Sequence, residues 1–209
     1  MRWTLPNVLT VARLLAAPGV AVMFLYFSRP WADWLALALF IGAAVTDYFD
    51  GYLARLWKQE SKFGAMLDPI ADKAMVVIAL VVLTGYSGMN PWLILPATVI
   101  LFREVFVSGL REFIGADAGK LKVTKLAKWK TTAQMVAIAV LFLGTGLAFL
   151  EQGRAPRAGE GDLPTGLSLA DIANHVGLGL IWIAAVLTAI TGFDYFAKAL
   201  PFLREPQDG

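Results

Sequence analysis

The sequence predicts an all-α integral membrane protein with six transmembrane helices, a short N-terminal interfacial segment and both termini in the cytoplasm. Three observations predict it. Of 209 residues, 58% are hydrophobic and only 16% charged, with a mean hydropathy of +0.64, whereas in soluble domains about a quarter of residues are charged. Apolar runs of about 20 residues, the length that crosses a hydrocarbon core, fall near 8–27, 31–50, 67–87, 91–110, 131–150 and 175–197. An even number of spans returns the chain to the side it left. Lysine and arginine then choose the side, because short cytoplasmic loops are enriched in them. Loop 52–63 carries Arg55, Lys58 and Lys62, segment 111–130 carries Arg111 and five lysines, and the tails add Arg2, Lys198 and Arg204; the other side has Arg29, Arg154 and Arg157.

Taken in order, residues 1–7 form the interfacial lead-in, with Trp3 suited to headgroup depth. The first span is too long for a signal-peptide core and contains Arg13, so cleavage is not expected. Arg13 has two readings: a snorkelling cation at a helix end, or a wall of a polar pocket. Only residues 28–30 separate the first two spans, which makes them antiparallel neighbours. The fourth span holds Arg103 and Glu104 at a depth where ionisable residues face a partner or a cavity; a buried ion pair is the plainer alternative. Lysines between Gly119 and Gln134 suit headgroup anchoring, but Lys130, Thr131 and Gln134 open the fifth span with a cation, a hydroxyl and an amide able to hold phosphate. Segment 151–172 reads as a far-side loop without chemistry, with the single histidine, His175, at that interface. Asp194 and Lys198 are spaced for a local i, i+4 pair. There is no cysteine, so neither disulfides nor a thiolate-ligated metal are available. No repeat or internal boundary divides 1–209, which reads as one membrane domain. The basic residues on one face suit anionic lipid or an anionic substrate, and nucleic acid is not an expected partner.

The chemically dense stretch runs from Asp47 to Asp72. Asp47 and Asp50 close one apolar run; Asp68 and Asp72 open the next, so all four carboxylates share one membrane boundary. At roughly 100° per residue, Asp47, Asp50, Gly51 and Ala54 lie within about 100° of arc if the helix continues through them. Gly64, Asp68 and Asp72 repeat the arrangement at intervals of four. Carboxylate oxygens hold hard divalent cations, Gly and Ala admit a ligand close to the backbone, and Arg55 adds a fixed cation for an anion. Pro69 means that either Asp68 caps a helix starting there or the helix is kinked. Acidic residues at helix ends are commonly just solvated or paired with a helix N-terminus; that accounts for one pair, not for four carboxylates interleaved with Gly, Gly, Ala and Arg.

The pattern Asp-x2-Asp-Gly-x2-Ala-Arg-x8-Gly-x3-Asp-x3-Asp over residues 47–72 resembles, at every fixed position, the signature of the CDP-alcohol phosphotransferase family. Pro-Asn-x-Leu-Thr-x2-Arg at 6–13, Ser-Gly-Leu-Arg-Glu at 108–112 and Lys-x-Lys-Thr-x2-Gln at 128–134 are similar to its phosphatidylglycerophosphate synthase branch. The resemblance implies transfer of a phosphatidyl group from CDP-diacylglycerol to glycerol 3-phosphate with release of CMP, in a homodimer. It implies two Mg²⁺ or Mn²⁺ ions on Asp47, Asp50, Asp68 and Asp72, with Asp72 also the general base. Asn7, Thr10, Gly51, Ala54, Arg55, Ser61 and Gly64 are then expected at CDP-diacylglycerol, and Arg103, Arg111, Lys130 and Thr131 at the acceptor phosphate. A phosphatidylinositol phosphate synthase, or another member with a different alcohol, is the alternative within the family. A cation- or proton-coupled transporter is the alternative outside it, although transporter sites lie at the bilayer middle and these acids lie at one boundary.

Overall fold

The computed structural model describes residues 4–56, 61–115, 125–153 and 166–203; the side chains of residues 6, 48, 50–55 and 125–128 lie outside the described set. Its elements are α1 (Leu5–Tyr26), α2 (Trp31–Leu56), α3 (Lys62–Tyr86), α4 (Pro91–Ile114), α5 (Lys125–Gln152) and α6 (Leu169–Leu203). Four stretches among the described residues are long and apolar enough to cross a membrane: Asn7–Tyr26, Pro91–Ile114, Trp129–Gln152 and Leu169–Leu203. The chain is an all-α membrane protein. α2 and α3, which carry the aspartates, are not among those four.

Several helices outrun the apolar runs that announce them. α2 continues to Leu56, α3 begins at Lys62, and α6 covers Leu169–Leu203. Apolar content tracks hydrocarbon thickness, whereas the backbone ladder continues wherever capping and propensity allow. α3 starts where it does because Ser61 caps it, its Oγ accepting from the Gly64 amide at 3.0 Å. Pro69 therefore lies inside α3, which replaces the expectation that Asp68 caps a helix starting at Pro69. α4 is capped by Asn90, whose Oδ1 accepts from the Trp92 amide at 3.0 Å.

α1 packs on α2 and α3, α5 on α6, and α4 on α6, while α3 and α4 touch only lightly. The shared core is filled by Phe40, Met75, Leu80, Ile100, Ile138, Phe142 and Ile181. Buried alanines, among them Ala17, Ala36, Ala79, Ala137 and Ala184, bring the backbones close, the usual device where lipid removes the hydrophobic drive between helices. Large apolar side chains such as Leu25, Phe102, Val105 and Phe193 point outward. The end of the bundle away from the aspartates is clamped by Arg29. It bonds the buried Asp33 at 2.5 and 2.8 Å and the Thr145 carbonyl at 2.8 Å, and lies over the rings of Tyr86 and Phe149. The Asp33 hydrogen bond lifts the guanidinium pKa above its ordinary value.

Candidate active site

Packing of α2 and of α3 on α1 gathers three of the four predicted aspartates around one arginine. Arg13 Nη1 bonds Asp47 and, at 2.8 Å, Asp72, while Nη2 reaches Asp68 at 3.5 Å. The Arg13 side chain is 2% exposed, whereas those of Asp47, Asp68 and Asp72 are 46%, 48% and 52% exposed. The cation is sealed beneath carboxylates that stay open. Arg13 therefore does not snorkel; it is the hub on which the acids converge. Three carboxylates against one guanidinium leave two negative charges unbalanced within this described set. Among the described residues no three ligating side chains are already arranged as a metal cage. The three aspartates bring carboxylate oxygens from two helices together, and such hard oxygens are the donor type that Mg²⁺ or Mn²⁺ takes.

Beside the acids, α1 is fastened to the start of α3. Thr10 Oγ1 donates to Asp68 Oδ1 at 2.7 Å, and Ser61 Oγ donates to Asn7 Oδ1 at 2.8 Å. Gly64 admits this contact, since a Cβ there would lie 2.7 Å from Asn7 Oδ1. Asn7, Thr10, Ser61 and Gly64 thus sit together at the acidic end. The contact that Gly64 permits is with a side chain of α1, and the Ser61 hydroxyl serves as a helix cap.

A second charged group lies between α4 and α5. Glu104 accepts from Lys130 at 2.6 Å and from Arg103 at 3.0 Å, and Ser108 Oγ donates to the Glu104 carbonyl at 2.5 Å. Arg103 packs on α6 at Gly192, where a Cβ would come within 2.9 Å of its Cγ. Gln134, one turn beyond Lys130, is buried, and its Oε1 has no hydrogen-bond partner among the described residues. Arg103 and Lys130 are thus brought together by a shared carboxylate, while Arg111 and Thr131 are exposed on their helices. The local pair expected of Asp194 and Lys198 is present at 2.6 Å.

The side chains of Asp50, Gly51, Ala54 and Arg55 lie outside the described residues; their backbone continues α2 as the spacing requires. Sequence reasoning missed Lys73, which follows Asp72 on α3 and donates to Ser108 Oγ on α4. The available signal was a lysine inside an apolar run, unusual enough in a membrane to demand a partner. It also missed Asp33, whose only sequence signal is its i, i+4 spacing from Arg29.

A bundle of apolar helices that collects aspartates from two neighbours over a buried arginine, with a basic group alongside, defines a helical membrane protein with a charged centre at one end. The chain belongs to the CDP-alcohol phosphatidyltransferase family, whose model matches residues 3–190. It is 73% identical to the CDP-diacylglycerol–glycerol-3-phosphate 3-phosphatidyltransferase of Cereibacter sphaeroides, covering 98% of this chain and 99% of the relative. Proteins of the same name from Pectobacterium atrosepticum, 39% identical over 99% of this chain and 100% of the relative, and Rickettsia bellii, 41% identical over 92% and 93%, are similar to it along nearly their whole lengths.

Proposed function

We infer that this chain transfers a phosphatidyl group from CDP-diacylglycerol to sn-glycerol 3-phosphate, giving phosphatidylglycerol phosphate and CMP. The observation that carries the reading is full-length similarity to enzymes named for that reaction, one of them 73% identical, together with the convergence of Asp47, Asp68 and Asp72 on Arg13. The acceptor's hydroxyl oxygen attacks the phosphorus that carries diacylglycerol; a new P–O bond forms as the bond to CMP breaks. Asp72 takes the hydroxyl proton. Asp47, Asp50, Asp68 and Asp72 would hold two divalent cations, Mg²⁺ or Mn²⁺, whose charge would offset that of the pyrophosphate. Asn7, Thr10, Gly51, Ala54, Arg55, Ser61 and Gly64 border the lipid donor. Arg103, Lys130, Arg111 and Thr131 hold the acceptor phosphate, with Glu104 keeping the first two cations ordered until the anion arrives.

In this reading all six helices cross the inner (plasma) membrane, both termini and the acidic site face the cytoplasm, and the protein works as a homodimer. That placement suits the substrates, because acyl chains stay in the bilayer while a soluble acceptor arrives from water. The test is a purified preparation given radiolabelled CDP-diacylglycerol and a panel of acceptors. Glycerol 3-phosphate should be the productive one, and chelating divalent cations should stop turnover. Preference for another alcohol would overturn the acceptor, and turnover after thorough chelation would overturn the metal assignment. Lys130→Gln should weaken apparent affinity for glycerol 3-phosphate roughly tenfold or more, the cost of about 1.5 to 3 kcal/mol for a lost charge-assisted bond. Saturation curves in the two substrates check it; equal weakening for the lipid donor would put Lys130 on the other substrate.

A further inference from the structure

The two charged groups meet at consecutive residues of α3. Asp72 turns to Arg13 of α1 at 2.8 Å, while Lys73, about 100° further round the helix, donates to Ser108 Oγ of α4. Ser108 in turn donates to the carbonyl of Glu104, whose carboxylate organises Arg103 and Lys130. Among the described residues, Lys73–Ser108 is the hydrogen bond that joins α3 to α4. The two helices share the buried core at Met75, Leu80 and Ile100 but pack only lightly on each other.

They form a hairpin whose turn, residues 87–90, is at the opposite end of the bundle. That end is clamped by Arg29 against Tyr86. Lys73 stands 13 residues before Tyr86, which at 1.5 Å per residue is about 20 Å from the turn. A splay of about 3° at the turn would shift the charged ends by about 1 Å over that length. Misplacement on that scale costs on the order of a hundredfold in rate where two bound groups must meet.

We propose that Lys73 is a positioning residue: through Ser108 it holds the α4–α5 cations at a set distance from the α3 carboxylates, and so fixes the gap across which donor and acceptor react. The proposal rests on the transferase reading above, but its geometric half does not need it. Lys73→Met keeps the length of the side chain and loses the tie; Ser108→Ala removes the tie from the other side; Lys73→Arg retains a donor.

Both disrupting variants should lower kcat by ten- to a hundredfold, with KM for either substrate shifting far less, and the double variant should be little worse than the single ones. Lys73→Arg should recover much of the rate. Because the chain has no cysteine, spin labels can be placed at the exposed Met66 and Phe113, and the α3–α4 distance distribution should widen in Lys73→Met and Ser108→Ala alike. Unchanged distances would overturn the proposal whatever the enzyme's activity. A rise in KM for the acceptor alone at unchanged kcat would also overturn it and make Lys73 a direct ligand of the anion. Loss of the transferase reading would leave the distance result standing, so the two failures are distinguishable.

Discussion

Arg13 shows how one side chain can organise a site built from residues more than 30 positions away. Three neighbouring carboxylates repel one another. A buried guanidinium with a planar fork of donors can serve several of them together. The same carboxylates are the proposed seats of divalent cations, so guanidinium and metal ions would neutralise one set of charges. Arg13→Met should therefore lower thermal stability, by roughly 3 kcal/mol, toward the lower end of the range for a broken buried pair because the aspartates are half-exposed. The difference in Tm between variant and parent should shrink when Mg²⁺ is added. A difference that ignores Mg²⁺ would mean that the two kinds of cation do not share these carboxylates.

At the scale of the element, the start of α3 matters most. Ser61 caps the helix, Gly64 lets Asn7 approach, and the first three turns then present Asp68 and Asp72 to Thr10 and Arg13. Ser61→Ala removes a cap worth about 1 kcal/mol and the bond to Asn7, so Tm should fall by a few degrees. If its hydroxyl also borders the lipid donor as proposed, KM for the donor at a temperature well below Tm should rise selectively. A KM that stays within about twofold, the size of a few tenths of a kcal/mol, would confine the hydroxyl to the cap. α4 and α5 contribute differently, since each supplies charged side chains to the group around Glu104, and α6 accommodates Arg103 through the missing side chain of Gly192.

For the whole molecule, the two ends of the bundle do different work. One end is locked by Arg29, Asp33, Tyr86 and Phe149, joining the α1–α2 turn to α3 and α5. The other end collects the charges. The proposed orientation is directly measurable in the cysteine-free chain. A single cysteine at Ser28, in the exposed α1–α2 turn, should react with an impermeant maleimide from outside intact cells, and one at Ser61 only after the membrane is opened. The reverse pattern would invert the topology.

Helical membrane architecture and the grouping of Asp47, Asp68 and Asp72 were legible in the sequence, because both depend on local properties: runs of apolar residues matched to hydrocarbon thickness, and carboxylates at a fixed helical spacing. The pair Asp194–Lys198 was legible for the same reason. Helix ends were not, since Ser61 caps α3 well before its apolar run begins. Nor were the partners of Arg13, Lys73 and Glu104. Each charge has several possible partners in one dimension, and desolvation makes only the pairings that packing brings within hydrogen-bond distance worthwhile. Spacing along the chain determined which groups share a helix face; the packing of α1 on α3, and of α4 and α5 beside them, decided which opposite charges meet.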